Sequence, residues 1–263
     1  MQNPHVGQHV DRIREQFTRQ ADVYARMRQT TDQRGLDGLV ALAGATATDR
    51  ALDVACGPGF LTMTLAARTA DATGFDATDA LLDLARTEAA RRGLANVVFA
   101  SGDAEELPYA DETFDVVACR AAFHHFPRPE RVLAEMHRVA RRGGRIVVAD
   151  MLGNDDAGRA ALHDRMERMC DPTHVRALPE SELARLFVNV GLEARHVARG
   201  QLDITVDEWI AHGGPDEATE RELRALAATS IDGDRAGVGM HRDAAGRLAF
   251  AHRTAAFLLV RPG

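Results

Sequence analysis

The sequence predicts a doubly wound α/β fold. Three observations lead there: seven short apolar runs, helical patterns between most of them, and one glycine-rich turn straight after the first run. Ahead of that run, QFTRQADVYARM sets Phe17, Ala21 and Tyr24 at helical spacing, a leading helix with one apolar face. Runs and helices then alternate: ALDVA, then 61–70; ATGFD, then 78–92; NVVFA; FDVVAC, then 129–142; GRIVVAD. Strands separated by helices of this length imply a parallel sheet with right-handed crossovers. Gly93 and Gly143, each preceded by paired arginines, sit where helix C-terminal caps are expected.

After Asp150 the rhythm changes. Residues 154–178 combine a helical pattern (Leu162, Met166, Met169) with the irregular CDPTHVRALP, followed by a helix over 180–190. LEARHVAR and TAAFLLVR read as two more strands, and a polar, glycine-containing segment over 201–247 carries the single tryptophan, Trp209. With no internal repeat or low-complexity tract, one elaborated domain is expected over 1–263. Its parts are an N-terminal helical cap (1–45), a core (46–150), and two substrate-side insertions (151–180 and 201–250), the first a candidate lid.

The 263 residues are 45% hydrophobic and 27% charged, enough for a substantial core. A net charge of −7, with the two signs interspersed, gives no footprint for nucleic acid. There is no lysine, which excludes a P-loop and any Schiff-base chemistry. Three scattered cysteines suit a reducing compartment, and no stretch approaches a membrane span, so a cytoplasmic protein without integral membrane association is expected. No C-x-x-C spacing occurs and the three cysteines lie on separate elements, and no metal site is expected.

The turn in LDVACGPGFLT bears on the ligand. A dinucleotide fingerprint needs a third glycine where this chain has Thr62, and what remains is Asp53-x-Ala55-x-Gly57-x-Gly59. Asp76 ends the second strand, 23 residues beyond Asp53, the spacing at which a carboxylate accepts from ribose hydroxyls. Asp103, just after the third strand, is placed to accept from an adenine amino group. Any one of these aspartates alone also fits a helix cap or a turn.

These blocks, together with CRAAFHHFPRP and LAEMHRVARRGGRIVVAD, resemble in order the class I S-adenosylmethionine (SAM)-dependent methyltransferases, over roughly 17–150. The likeness is to the ubiquinone/menaquinone-methyltransferase-like (type 11) group. It implies a Rossmann-like, seven-stranded, mostly parallel sheet with an antiparallel last strand. It also implies SAM as cofactor and S-adenosylhomocysteine as product. In that group's first motif glycine stands at Ala55, and alanine is small enough for the turn to survive. Gly57 and Gly59 would lie along the methionyl portion and Asp53 would accept from its ammonium. Ala104 would touch adenine, Arg120 would flank the methionyl tail, and Tyr24, Ala77 and Leu81 would complete the site.

The implied reaction is methyl transfer to oxygen, nitrogen or carbon of a small, quinone-like or secondary metabolite by a monomer or homodimer. The alternative is a SAM-binding protein with a non-methylating reaction. Candidate catalytic groups are His124 and His125, after the fourth strand, and His174. A histidine in the first block also suits orientation of its helix, and His174 also suits a loop or cap. Met166, Met169, Phe123 and Trp209 fit either an apolar acceptor pocket or plain core.

Overall fold

A computed structural model describes residues 4–26 and 31–263; residues 1–3 and 27–30 of the N-terminal cap, including Met27 of the leading helical pattern, lie outside the described residues. The core runs α2 (Gln33–Leu42), β1 (Arg50–Val54), α3 (Phe60–Ala66), β2 (Asp71–Asp76), α4 (Asp79–Arg91), β3 (Val97–Ser101), β4 (Phe114–Arg120), α5 (Pro129–Val139) and β5 (Ala140–Met151). α1 (Pro4–Tyr24) precedes it. α6 (Ala157–Cys170), α7 (Glu180–Asn189), β6 (Glu193–Thr205), α8 (Val206–Gly213), α9 (Glu217–Ser230), β7 (His241–Arg242) and β8 (Leu248–Val260) follow.

The sheet order is β3-β2-β1-β4-β5-β8-β6, parallel from β3 to β5, with β8 antiparallel to both β5 and β6. The doubly wound fold with an antiparallel last strand is therefore present, and the short β7 pairs with β8 as an addition to the seven expected strands. Strand order reverses between β1 and β4, so loops after β1, β2 and β4 diverge there and leave a crevice at the carboxyl edge.

Both faces of the sheet are covered. Leu52, Val54, Val117 and Ile146 meet Leu133, Met136 and Phe187 of α5 and α7 on one side. Ala51, Ala72, Val116 and Val147 meet Leu36, Val40, Leu61 and Leu65 of α2 and α3 on the other. Burial on two faces explains why the central strands read as continuous apolar runs. The predicted apolar face of α1 is used: Phe17, Ala21 and Tyr24 pack on Leu81 and Leu84 of α4, which lays α1 over the crevice. A separate core holds Met166, Trp209, Ile210, Leu223 and Phe250, joining α6, α8, α9 and β8.

Some boundaries differ from the sequence reading. Gly93 is at the expected place beyond α4, with φ +68° and its N–H on Ala90 O. Gly143 is not a helix cap: α5 ends at Val139, and Gly143 (φ +69°) lies where the β4–β5 register shifts, its N–H donated to Arg261 O. The helix expected over 61–70 stops at Ala66, because Thr69 turns its hydroxyl back onto Leu65 O and the chain re-enters the sheet at Asp71. The segment over 201–247 is more ordered than its composition suggests. A Thr205–Glu208 capping box starts α8, and Asp216 caps α9 through the Thr219 N–H.

Candidate active site

The glycine-rich turn leaves β1 through two left-handed residues in succession of three, Ala55 (φ +55°) and Gly57 (φ +53°), and Gly59 (φ +75°) opens α3. Ala55 thus occupies a backbone region that favours glycine, at a cost of about 1–2 kcal/mol. What holds the turn is Asp76. Its Oδ2 accepts the Gly57 N–H at 2.8 Å and its Oδ1 accepts the Thr78 N–H at 2.8 Å, fastening the ends of β1 and β2 together. Burial raises the Asp76 pKa, and these main-chain N–H groups oppose the rise. Gly59 has no room for a side chain: a Cβ there meets Phe99 at 2.7 Å and Ala85 at 2.9 Å.

A partly open pocket lies on this edge. Its walls come from four strand ends: Ala55 and Gly57, Asp76 and Ala77, Asp103 and Ala104, and Ala121 and Ala122. Leu81 and Tyr24 close it, and His9, Ile13 and Phe17 of α1 roof it. Asp103 places Oδ1 on the Glu105 N–H at 2.9 Å, so it is both a turn residue and a pocket carboxylate. Three of the expected cofactor residues are not on this wall. Asp53 is buried behind the turn and accepts the Thr62 hydroxyl at 2.7 Å, Gly59 is inside the packing of α3, and Arg120 lines the neighbouring cavity. Burial pushes the Asp53 carboxyl up to about 7 and the Tyr24 phenol up to about 12, and the Arg120 charge works against both.

The second cavity, of about 830 Å³, shares Phe17, Tyr24, Ala121 and His125 with the first. Its other walls are Arg120, His124, Met151, Glu167, Cys170, Trp209 and His252, from the two segments after β5 as well as the core. Of the four candidate apolar residues, Trp209 reaches this cavity; Met166 is buried in the satellite core, Met169 packs against it, and Phe123 belongs to the main core.

Both adjacent histidines face cavities, but their surroundings differ. His124 directs Nδ1 to Asp150 Oδ1 at 2.6 Å; burial, the largest single influence, lowers its pKa, but the Asp150 charge and hydrogen bond with the Glu167 and Asp171 charges together leave it raised. His125 has Nδ1 near the Thr173 carbonyl and hydroxyl, and burial with the neighbouring His124 pushes it down to about 3. His125 is therefore neutral, and its carbonyl receives His9 Nε2 at 2.8 Å. His174 lines neither cavity: it is buried with Nε2 2.8 Å from Asp164 Oδ1, because Asp164 also receives the Ala177 N–H and pins the irregular segment after α6. The reading of His174 as a lid group over an acceptor is corrected to that of an internal strut. Asp150, Glu167 and His252 were not visible as site residues in the sequence; they lie 26, 43 and 128 positions beyond His124, Asp150 alone being marked by its place at a strand end.

Comparison with known proteins agrees with this geometry. Residues 45–191 match the profile of the methyltransferase domain family. The methyltransferase YcgJ of Bacillus subtilis strain 168 is 29% identical over 207 residues, 79% of this chain and 82% of its own. The YcgJ crystal structure superposes with a TM-score of 0.82 at 26% identity, covering 88% of this chain and 99% of that one. Demethylmenaquinone methyltransferase of Deinococcus radiodurans is 41% identical over 103 residues, 38% of this chain and 42% of its own. A geranyl diphosphate methyltransferase in complex with SAM shares the fold alone, with a TM-score of 0.63 at 16% identity over 87% of this chain and 84% of that one.

Proposed function

The chain belongs to the methyltransferase-domain family of class I SAM-dependent enzymes, and from that premise we propose that it methylates a small metabolite held in the second cavity. The observation that carries this reading is the shared wall of Tyr24, Ala121 and His125 between two cavities, which sets a cofactor and an acceptor side by side. The residues fit SAM: a left-handed turn without bulk at Gly57, a buried carboxylate at Asp76, and a second at Asp103 beside the small Ala104. Asp76 is assigned to the ribose hydroxyls, Asp103 to adenine, and Ala55, Gly57 and Ala77 to close backbone contact. Gly59 is assigned to the turn, and Asp53 and Arg120 to the charged methionyl end from behind and beside it. When bound, SAM supplies an electrophilic methyl group.

The chain's own groups prepare the acceptor. His124, with Nδ1 committed to Asp150, has Nε2 as its remaining basic nitrogen and lines the second cavity. It is assigned as the base that receives the acceptor's proton. Neutral His125 is assigned to positioning, through Thr173 and His9. Segments 151–180 and 201–250 contribute the acceptor side, through Glu167, Cys170 and Trp209. The apolar and histidine-rich wall suits a partly apolar metabolite with one ionisable hydroxyl or amine, acted on by a protein of the cytoplasm.

The test is calorimetry with SAM and S-adenosylhomocysteine, followed by incubation of labelled SAM with an extract of the producing cell. A product heavier by one CH₂ group supports the reading. Failure of both ligands to bind overturns it, and SAM-dependent conversion of an acceptor with no gain in mass favours the non-methylating alternative.

A further inference from the structure

One wall of the second cavity contains a cluster of which the methyl-transfer reading uses Glu167 alone, as part of the lining. His163 and Glu167 stand one helical turn apart on α6, and His252 faces them from β8. One donor atom from each lies within 4.8 Å of the other two. Glu167 Oε1 is 3.2 Å from His163 Nε2 and 3.6 Å from His252 Nε2. All three residues are buried, and Glu167 and His252 reach the cavity.

Several features separate this from an ordinary buried ion pair. A buried carboxylate requires a paired cation or a metal, and the groups around Glu167 are two imidazoles and the Trp209 indole. The indole N–H is donated to Oε2 at 3.2 Å, which fixes the carboxylate so that Oε1 is left for the histidines, the outer-sphere arrangement that orients metal ligands. His252 Nδ1 is buried without a hydrogen-bond partner, so a hydrogen bond at that nitrogen does not account for the ring's placement. The two spacings from Glu167 Oε1 also fit. Bonds of about 2.0–2.1 Å in a tetrahedral site put neighbouring donor atoms about 3.3 Å apart, between the two measured separations.

The geometry points to a site for a divalent transition metal of the zinc class, held by His163, Glu167 and His252, with its open position toward the second cavity. Two imidazoles and a carboxylate are a donor set for zinc, iron or copper rather than for magnesium or calcium. An ion here would accept an oxygen or nitrogen donor of a molecule in that cavity and lower the pKa of its proton. That role rests on the cavity being the acceptor site; the binding of the metal does not. The sequence reading expected no metal because the cysteines are scattered without C-x-x-C, yet H-x-x-x-E on α6 supplies two ligands and the sheet brings the third from 85 residues beyond Glu167.

The test uses the full chain freed of metal with a chelator and titrated with Co²⁺ and then Zn²⁺, with SAM binding measured in parallel as the report on fold. Wild-type protein is expected to take up one equivalent and to show the visible bands of a low-symmetry Co²⁺ site, displaced by Zn²⁺. Glu167→Gln and His252→Ala are each expected to weaken Zn²⁺ by at least about 100-fold while the exposed-site control His241→Ala does not. Wild-type crystals soaked in Zn²⁺ give a reading independent of how the variants fold: an anomalous peak within bonding distance of His163, Glu167 and His252 supports the site. No uptake, unchanged affinity in folded variants, or a peak only elsewhere overturns it. Metal uptake without SAM binding supports the metal site and removes the methyl-transfer reading, and SAM binding without metal uptake does the reverse.

Discussion

The Asp150 carboxylate accepts from His124 twice, through Oδ1 to the ring Nδ1 at 2.6 Å and through Oδ2 to the main-chain N–H at 3.2 Å. The ring is therefore fixed in orientation and in tautomer by one partner. The Met151 N–H, 2.6 Å from Oδ1, fixes that partner in turn.

Methyl transfer is expected to rise with pH with a midpoint above 6.5, since burial is outweighed by the Asp150 charge and hydrogen bond together with the nearby carboxylates, and His124 must lose its proton to act. Asp150→Asn should move that midpoint down and reduce kcat by about 100-fold, and His124→Ala should remove the titration. The pH–rate profile of the three proteins decides this. The same pair affects stability. Its contribution is fully present between the ordinary Asp value of 3.8 and the ordinary His value of 6.5. It is lost as pH rises through the raised His124 pKa, or falls through the lowered Asp150 one.

Asp53 has the opposite effect on stability. Burial raises its folded pKa to about 7 from an ordinary 3.8, so the native state holds a proton that the unfolded chain has released. Apo stability should therefore fall by roughly 2–4 kcal/mol as pH rises from about 4 to 7, and Asp53→Asn should flatten that slope while keeping an acceptor for Thr62. Denaturant melts of both proteins across this range measure it.

Asp76→Asn is expected to keep the fold and weaken SAM by about 10–100-fold. Asparagine has one acceptor oxygen where Asp76 uses two, so an amide N–H group is set against either Gly57 or Thr78. Calorimetry with S-adenosylhomocysteine gives the affinity, and circular dichroism reports on the fold.

Two glycines with similar backbone angles should respond differently to alanine. At Gly59 a Cβ meets Phe99 and Ala85 below 3.0 Å, whereas at Gly93 nothing lies within 4 Å. Gly59→Ala should cost about 2–4 kcal/mol and weaken the cofactor site, and Gly93→Ala about 1 kcal/mol with SAM affinity unchanged. Thermal melts of the pair separate collision from backbone strain.

The pocket wall proposed to hold the cofactor is made of short-range features, which the sequence displays. The turn at 55–59 and the carboxylates at Asp76 and Asp103 each follow a strand that the apolar runs mark, and a parallel sheet brings successive strand ends to one edge. Even there, whether a side chain faces the pocket was not legible. Asp53 within β1 and Asp103 just past β3 were both expected on the pocket wall, but Asp53 is bonded to Thr62 on α3 and lies off it. Nor did the sequence show that Ala55 holds a left-handed conformation, which the Asp76 bond to Gly57 enforces two residues later.

By itself the sequence determined the doubly wound sheet and the family, because periodicity, turn chemistry and strand-end residues act within a few tens of positions. Only the tertiary structure decided what surrounds the acceptor: His124 against Asp150, His174 committed to Asp164, and His163, Glu167 and His252 converging on one wall. The first pairing joins the segment after β4 to the end of β5, the second ties the segment after α6 back to that helix, and the third brings α6 to β8, and contacts set by packing in this way leave no periodic trace in the sequence.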